Sequence, residues 1–157
     1  MKDVNIYLGN GIKGPQARDG YVIYILEYIT AKGPVTRTEV IEVEKISCHR
    51  AELFVLSKAL ERLKEKCNLN IYTESSYLTM GFPDWVKKWT ENGWRNSHGT
   101  EVKNRDLWQQ LTELLTGNKY EFHIKETHSY SAWIQSELER RKKECLKNSE
   151  NLILVKS

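Results

Sequence analysis

The chain has 157 residues, of which 39% are apolar and 29% charged, and 24 basic against 21 acidic side chains leave a formal net charge of +3. A chain of this length buries roughly 70% of the surface that its unfolded form exposes, so one globular domain needs no disulfide or metal for stability. No long apolar run and no signal-peptide pattern occur, so we expect neither membrane insertion nor secretion. The odd set of three cysteines without CxxC spacing is typical of a cytoplasmic protein.

The first third of the chain predicts three strands. Apolar and polar residues alternate at 4–7, and β-branched and aromatic residues dominate 21–29 and 36–43. The Lys-Gly-Pro break at 32–34 joins the last two strands as a hairpin. From His49 onward, leucines recur at three- and four-residue steps, which predicts an amphipathic helix packed on the sheet.

The second half alternates between the two periodicities. A short strand is predicted at 69–73, followed by a tryptophan-rich helical region, a helix near 106–115 and a strand at 119–125. Residues 132–146 predict a charged helix with Trp133 and Leu138 on its apolar side. With no internal repeat or linker, this order predicts one α/β domain whose mixed sheet has an antiparallel hairpin at one side.

Motifs in the middle of the chain carry a specific resemblance to a known family. They are the TESSY segment at 73–77, the tryptophans Trp85, Trp89 and Trp94, the VKNRDLW segment at 102–108, and the HRAEL helix start at 49–53. Over about residues 4–141 the chain resembles ribonuclease H of the bacterial and retroviral type. The resemblance implies a five-stranded mixed sheet flanked by helices, in a domain at 1–148 followed by a C-terminal tail at 149–157.

The resemblance implies a chemistry, but two of its four carboxylates are missing. The family cleaves the RNA strand of RNA/DNA hybrids with two Mg²⁺ ions held by four acids. Those positions fall on Gly9, Glu52, Glu74 and Ser136. Two clustered divalent cations repel each other and need anionic oxygens around them. We therefore expect impaired two-metal hydrolysis, with Glu52 and Glu74 binding Mg²⁺ or Mn²⁺ at most weakly.

Three nearby residues bear on whether the loss is compensated. Asn10 could offer an amide oxygen, but it follows Gly9 directly, so we expect it to point to the opposite face of the strand from Gly9 unless the turn has already begun. Glu137 is rotated by about 100° from Ser136 on a helix. His128 corresponds by resemblance to a histidine in a mobile loop that assists product departure, and the alternative is an ordinary polar surface residue.

The resemblance also implies a nucleic-acid surface. Its residues are Ser47, Trp85, Lys87, Lys88 and Asn104. Trp89, Trp94 and Trp108 are predicted to pack in the core instead. The segment 84–106 has five bases against four acids, so we expect weak binding to an RNA/DNA hybrid or duplex.

Three hypotheses follow from this sequence. The first is a catalytically impaired ribonuclease H homologue that serves as a nucleic-acid-binding or structural module. The second is an active hybrid nuclease that uses substitute ligands such as Asn10 or Glu137. The third is a protein-interaction domain, for which the apolar residues at 151–155 would add a strand to a sheet edge or pair with another copy of the chain.

Overall fold

Five strands form one mixed sheet in the order β3-β2-β1-β4-β5. The structure is a computed structural model that describes the backbone of residues 1–156 and the side chains of residues 1–146. The strands are β1 (Lys2–Asn10), β2 (Arg18–Thr30), β3 (Gly33–Ile46), β4 (Cys67–Thr73) and β5 (Lys119–Ile124). The first three pair antiparallel, whereas β1 with β4 and β4 with β5 are parallel. The predicted mixed sheet with its hairpin at one side is confirmed.

The helices follow the predicted order. They are α1 (Cys48–Leu60), α2 (Tyr77–Met80), α3 (Val86–Glu91), α4 (Arg105–Leu115) and α5 (Ser131–Lys156). An irregular turn at Gly81–Trp85, in which Phe82 is extended, links α2 to α3. None of the helices in the described part of the chain has the length and apolarity needed to cross a membrane.

The two faces of the sheet are covered unequally. On β1, Val4, Ile6 and Leu8 pack into a large core with residues of α1 and α4. Tyr7 lies on the opposite face, in a small cluster with Ile134 at the start of α5. Because side chains alternate along a strand, the even positions of β1 face α1 and the odd positions face α5.

Helix α5 differs from the prediction in two respects. Trp133, which was predicted to lie on the apolar side, is 45% exposed, and the buried residue is Ile134. Ile134 and Leu138 are four residues apart and share the face that meets the sheet, which turns Trp133 outward. The backbone of the tail continues α5 to Lys156 and adds no strand. Side chains beyond Leu146 lie outside the described residues, so pairing with another copy stays a prediction.

Candidate active site

The predicted site lies where two parallel strands end side by side. β1 and β4 are hydrogen-bonded neighbours that run in the same direction, with Tyr7 opposite Tyr72. Their carboxyl ends therefore reach the same edge of the sheet and bring Gly9 and Asn10 close to Thr73 and Glu74. The beginning of α1 lies over this edge.

Glu52 projects from α1 into the protein beside the strand ends. Its side chain is 3% exposed. One carboxylate oxygen accepts a hydrogen bond from the Thr73 hydroxyl, and the other accepts from Asn10 Nδ2 at 3.1 Å. Burial raises the pKa of Glu52, and these two hydrogen bonds oppose that shift only in part. Glu52 is thus a buried acid held by neutral donors.

Asn10 lies on the face of β1 opposite to that of Gly9, as the sequence predicted. That face is the one that meets α1, so Asn10 reaches Glu52 although Gly9 does not. Asn10 Nδ2 also donates to the Cys48 carbonyl at 3.0 Å, while its Oδ1 accepts from Ile12 N at 2.9 Å. The amide oxygen is therefore engaged in the turn that follows β1.

Gly9 faces the other way, towards α5. A Cβ atom added at Gly9 would come within 3.0 Å of Ile134 Cγ2, a separation that real Cβ atoms essentially never show. Leu138 Cδ1 lies 3.5 Å from the same point. Ser136 is exposed, two residues beyond Ile134. The structure therefore does not bring Gly9 and Ser136 together.

The other acidic candidates are placed differently from one another. Glu74 is exposed and follows β4 directly, where its negative charge adds slightly to the rise in the pKa of Glu52. Glu137 accepts from Arg140 at 2.5 Å and from Arg141 at 3.0 Å, and these contacts lower its pKa. Among the side chains that the structure describes, no group of three or more His, Cys, Asp or Glu residues could hold a metal ion.

His128 packs against aromatic residues of the sheet. Its ring centroid lies 4.4 Å from that of Tyr7 and 5.4 Å from that of Tyr72. Its Nδ1 accepts from the backbone N–H of Tyr130 at 3.1 Å, just before α5 begins. Burial lowers the pKa of His128, which favours the neutral ring that this acceptor role requires. The structure therefore gives His128 a helix-capping contact, and a part in product departure stays a prediction.

The predicted nucleic-acid residues form two groups. Ser47 caps α1 by accepting from Arg50 N at 3.2 Å, and Arg50 Nη1 donates to Asn104 Oδ1 at 3.3 Å, so Ser47 and Asn104 are linked through Arg50. The second group is on the Gly81–Trp85 turn and α3, where Trp85 is 41% exposed and Lys87 and Lys88 are exposed.

The predictions for the remaining tryptophans agree with the structure. Trp94 and Trp108 are buried, and Trp89 packs between them, 6.0 Å from Trp94 and 5.4 Å from Trp108 between ring centroids. Trp85, by contrast with these three, lies at the surface.

A second buried carboxylate was missed by sequence reasoning. Glu27 on β2 is 9% exposed and accepts from Asn5 Nδ2 at 2.9 Å, Tyr7 OH at 3.0 Å and Tyr130 OH at 2.5 Å. Burial alone would raise the pKa of Glu27, but the three hydrogen bonds outweigh it and hold the pKa below its ordinary value. The sequence signal that could have indicated this buried carboxylate is the single acid within the otherwise apolar strand at 21–29.

Comparison with known proteins identifies close family relationships. A family model described as RNase H matches residues 3–144. A ribonuclease H of Acetivibrio thermocellus is 36% identical over 130 residues, which cover 82% of this chain and 85% of that protein. A ribonuclease H of Legionella pneumophila is 42% identical over 81 residues, which cover 52% of this chain and only 57% of the relative.

Solved structures show the same fold. LC9-RNase H1, described as a type 1 RNase H with the type 2 active-site motif, superposes with a TM-score of 0.72 at 21% identity, covering 87% of this chain and 68% of that one. A foamy viral protease-reverse transcriptase in complex with an RNA/DNA hybrid superposes with a TM-score of 0.61 at 14% identity, covering 82% of this chain and 18% of that one.

Proposed function

The chain belongs to the ribonuclease H family, and we propose that it is a member without ordinary two-metal hydrolysis that serves as a nucleic-acid-binding or structural module. The observation that carries this proposal is the replacement of a carboxylate site by an apolar contact at the end of β1. Gly9 is buried against Ile134, and a Cβ atom at position 9 would force its neighbours to shift.

The acids that remain do not fit a pair of Mg²⁺ ions. Mg²⁺ requires near-octahedral oxygen coordination, and two such ions need several anionic ligands between them. Both carboxylate oxygens of Glu52 already accept hydrogen bonds, and burial favours its neutral form. Glu74 is the one exposed acid at these strand ends within the described structure. One buried and one exposed carboxylate supply too little negative charge for two divalent cations.

The nucleic-acid part of the proposal is supported by groups that remain available at the surface. The Ser47 hydroxyl accepts from Arg50 N, so its own hydrogen is free to donate to a phosphate. Trp85 offers an exposed aromatic ring next to Lys87 and Lys88. Foamy viral protease-reverse transcriptases, whose structures contain this fold, are described in complex with RNA/DNA hybrid and with double-stranded DNA. We take a hybrid or duplex as the partner class.

A cleavage assay on the purified protein tests the loss of hydrolysis. With a labelled RNA/DNA hybrid and either Mg²⁺ or Mn²⁺, we expect no cleavage above that of the Glu52→Gln variant, because the residual acids hold the metals too weakly. Robust cleavage that Glu52→Gln abolishes would contradict the proposal and favour an enzyme with substitute ligands.

Substitution of Trp85 tests the binding surface. The contact of a nucleic acid with an exposed aromatic side chain contributes about 1–3 kcal/mol, so Trp85→Ala should weaken hybrid binding by roughly 5- to 150-fold. Trp133→Ala is the matched control, since Trp133 is equally exposed but lies on α5. Fluorescence anisotropy with a labelled hybrid measures both. An equal loss in the two variants, or none in Trp85→Ala, would remove Trp85 from the surface.

A further inference from the structure

The contact between α5 and the end of β1 carries an inference that deepens the proposed function and rests on it. We infer that Ile134, and not Ser136, occupies the α5 position that faces the end of β1. Gly9 and Ile134 then form a coupled pair whose apolar contact fills the space of a divalent-cation site. A cation site at these strand ends would therefore require changes at both positions together.

The first step is the tight fit at Gly9. A Cβ atom there would overlap Ile134 Cγ2, and Ile23 Cβ lies 3.4 Å from it on the neighbouring strand. Ile134 is 7% exposed, so it has little room to move away. A residue with any side chain at position 9 must therefore shift the Ile134 side chain or the start of α5.

The second step is the helical register of α5. Ile134 and Leu138 are one turn apart and both meet the sheet face on which Gly9 lies. Ser136 is two residues from each of them, which corresponds to a rotation of about 200° around the helix. Its exposure agrees with this rotation. An acid at position 136 would therefore point to solvent rather than to β1.

The third step is that the register is held by specific bonds at the beginning of α5. Tyr130 OH donates to the buried Glu27 carboxylate at 2.5 Å, and Ile134 N donates to the Tyr130 carbonyl at 2.9 Å. Leu138 Cδ2 also lies 3.2 Å from the Cβ position of Gly11, so the contact extends over a second glycine. Rotation of α5 to bring Ser136 inward would move Leu138 away from Gly11 and, through the first helical turn, pull Tyr130 from Glu27.

A double-mutant cycle tests the coupling without any reference to activity. Gly9→Ala should lower the midpoint of thermal unfolding in the wild-type background, because the new methyl group meets Ile134. In the Ile134→Ala background, which removes the opposing methyl groups, this decrease should shrink by more than half. The control cycle pairs Gly9→Ala with Ser136→Ala and should be additive. Equal decreases in both backgrounds would overturn the inference.

Rebuilt acid pairs test the position of the missing ligand. We expect excess Mg²⁺ to raise the unfolding midpoint of Gly9→Asp/Ile134→Asp, and Mn²⁺ to bind it in electron paramagnetic resonance titrations. Gly9→Asp/Ser136→Asp and the wild type should show neither effect. If Gly9→Asp/Ile134→Asp does not fold, Gly9→Asp/Ile134→Asn is titrated in its place.

The two metal titrations have a clear contrary outcome. Metal binding by Gly9→Asp/Ser136→Asp that equals or exceeds that of the position-134 variants would assign the site to Ser136 and overturn the inference. Cleavage by the wild-type protein would instead contradict the proposed function, while the stability cycle would still decide whether Gly9 and Ile134 are coupled.

Discussion

At the scale of single residues, the most unusual group is the buried acid Glu52. Desolvation penalises its charged form, and its partners Thr73 and Asn10 are neutral donors that offset only part of that penalty. The folded protein therefore binds a proton at Glu52 more readily than the unfolded chain does. Such a group makes stability depend on pH.

The sign of that dependence gives a test. The pKa of Glu52 is raised in the folded state, so its contribution to stability is fully present below the unfolded pKa of about 4.3 and is lost as the pH rises through the folded pKa. The free energy of unfolding of the wild type should therefore fall relative to that of Glu52→Gln as the pH rises above about 4.3. Urea unfolding across this range measures it, and parallel pH profiles would show that Glu52 is not shifted.

His128 is a residue that the sequence singled out without indicating its contacts in the folded protein. The resemblance singled it out as a loop histidine. The structure buries part of the ring against Tyr7 and uses its Nδ1 to cap the start of α5. These contacts depend on residues from β1 and from the helix start, which are far apart in the chain.

At the scale of elements, the position of α5 depends on the buried Glu27 network. Asn5, Tyr7 and Tyr130 all donate to one carboxylate, and Tyr130 is the member that belongs to the segment leading into α5. The pKa of Tyr7 is raised mainly by burial and next by its hydrogen bond to Glu27. The pKa of Tyr130 is raised mainly by its hydrogen bond to Glu27. These hydrogen bonds thus hold the start of α5 against the face of the sheet opposite the main core.

Removal of the Tyr130 hydroxyl tests whether its hydrogen bond to Glu27 stabilises the position of α5. A hydrogen bond to a charged group contributes about 1.5–3 kcal/mol, so Tyr130→Phe should lower the free energy of unfolding by that order. Backbone amides at the start of α5 should also exchange hydrogen faster, while those of α1 and α4 stay protected. Tyr72→Phe is a suitable control, since Tyr72 stacks on Tyr7 at 4.8 Å but does not donate to Glu27. Equal effects in both variants would assign the loss to packing.

At the scale of the whole molecule, a net charge of +3 predicts that any nucleic-acid binding is weak and moderately dependent on salt. Basic residues are paired with acids in several places, including Arg50 with Asp106 at 2.6 Å and Arg140 with Glu137 at 2.5 Å. Such pairs leave fewer cations to replace the counterions of a phosphate backbone.

The salt dependence of binding identifies which lysines contact phosphate. Lys88→Ala should lower the slope of log K against log salt by about one unit and weaken binding to all sequences alike. Lys143→Ala, which removes an exposed lysine from α5, should leave the slope unchanged. Anisotropy titrations at several salt concentrations give both slopes. A similar decrease for Lys143→Ala would place the nucleic acid on α5 instead.

The sequence by itself determined the order of strands and helices along the chain, the hairpin of β2 and β3, and the family. Hydrophobic periodicity is a local property, and the TESSY and VKNRDLW segments are specific enough to identify the fold. By resemblance, the sequence also assigned Glu52, Glu74 and Gly9 to positions where the family has acids.

Only the tertiary structure decided how those positions face one another. Whether Asn10 reaches Glu52 depends on which face of β1 meets α1, and whether Ile134 or Ser136 meets Gly9 depends on the rotation of α5 about its axis. A shift of one residue in the register of a helix turns each side chain by about 100°, and the mostly charged sequence of α5 does not by itself fix which register meets the sheet. Contacts between distant elements therefore settled what local periodicity could not.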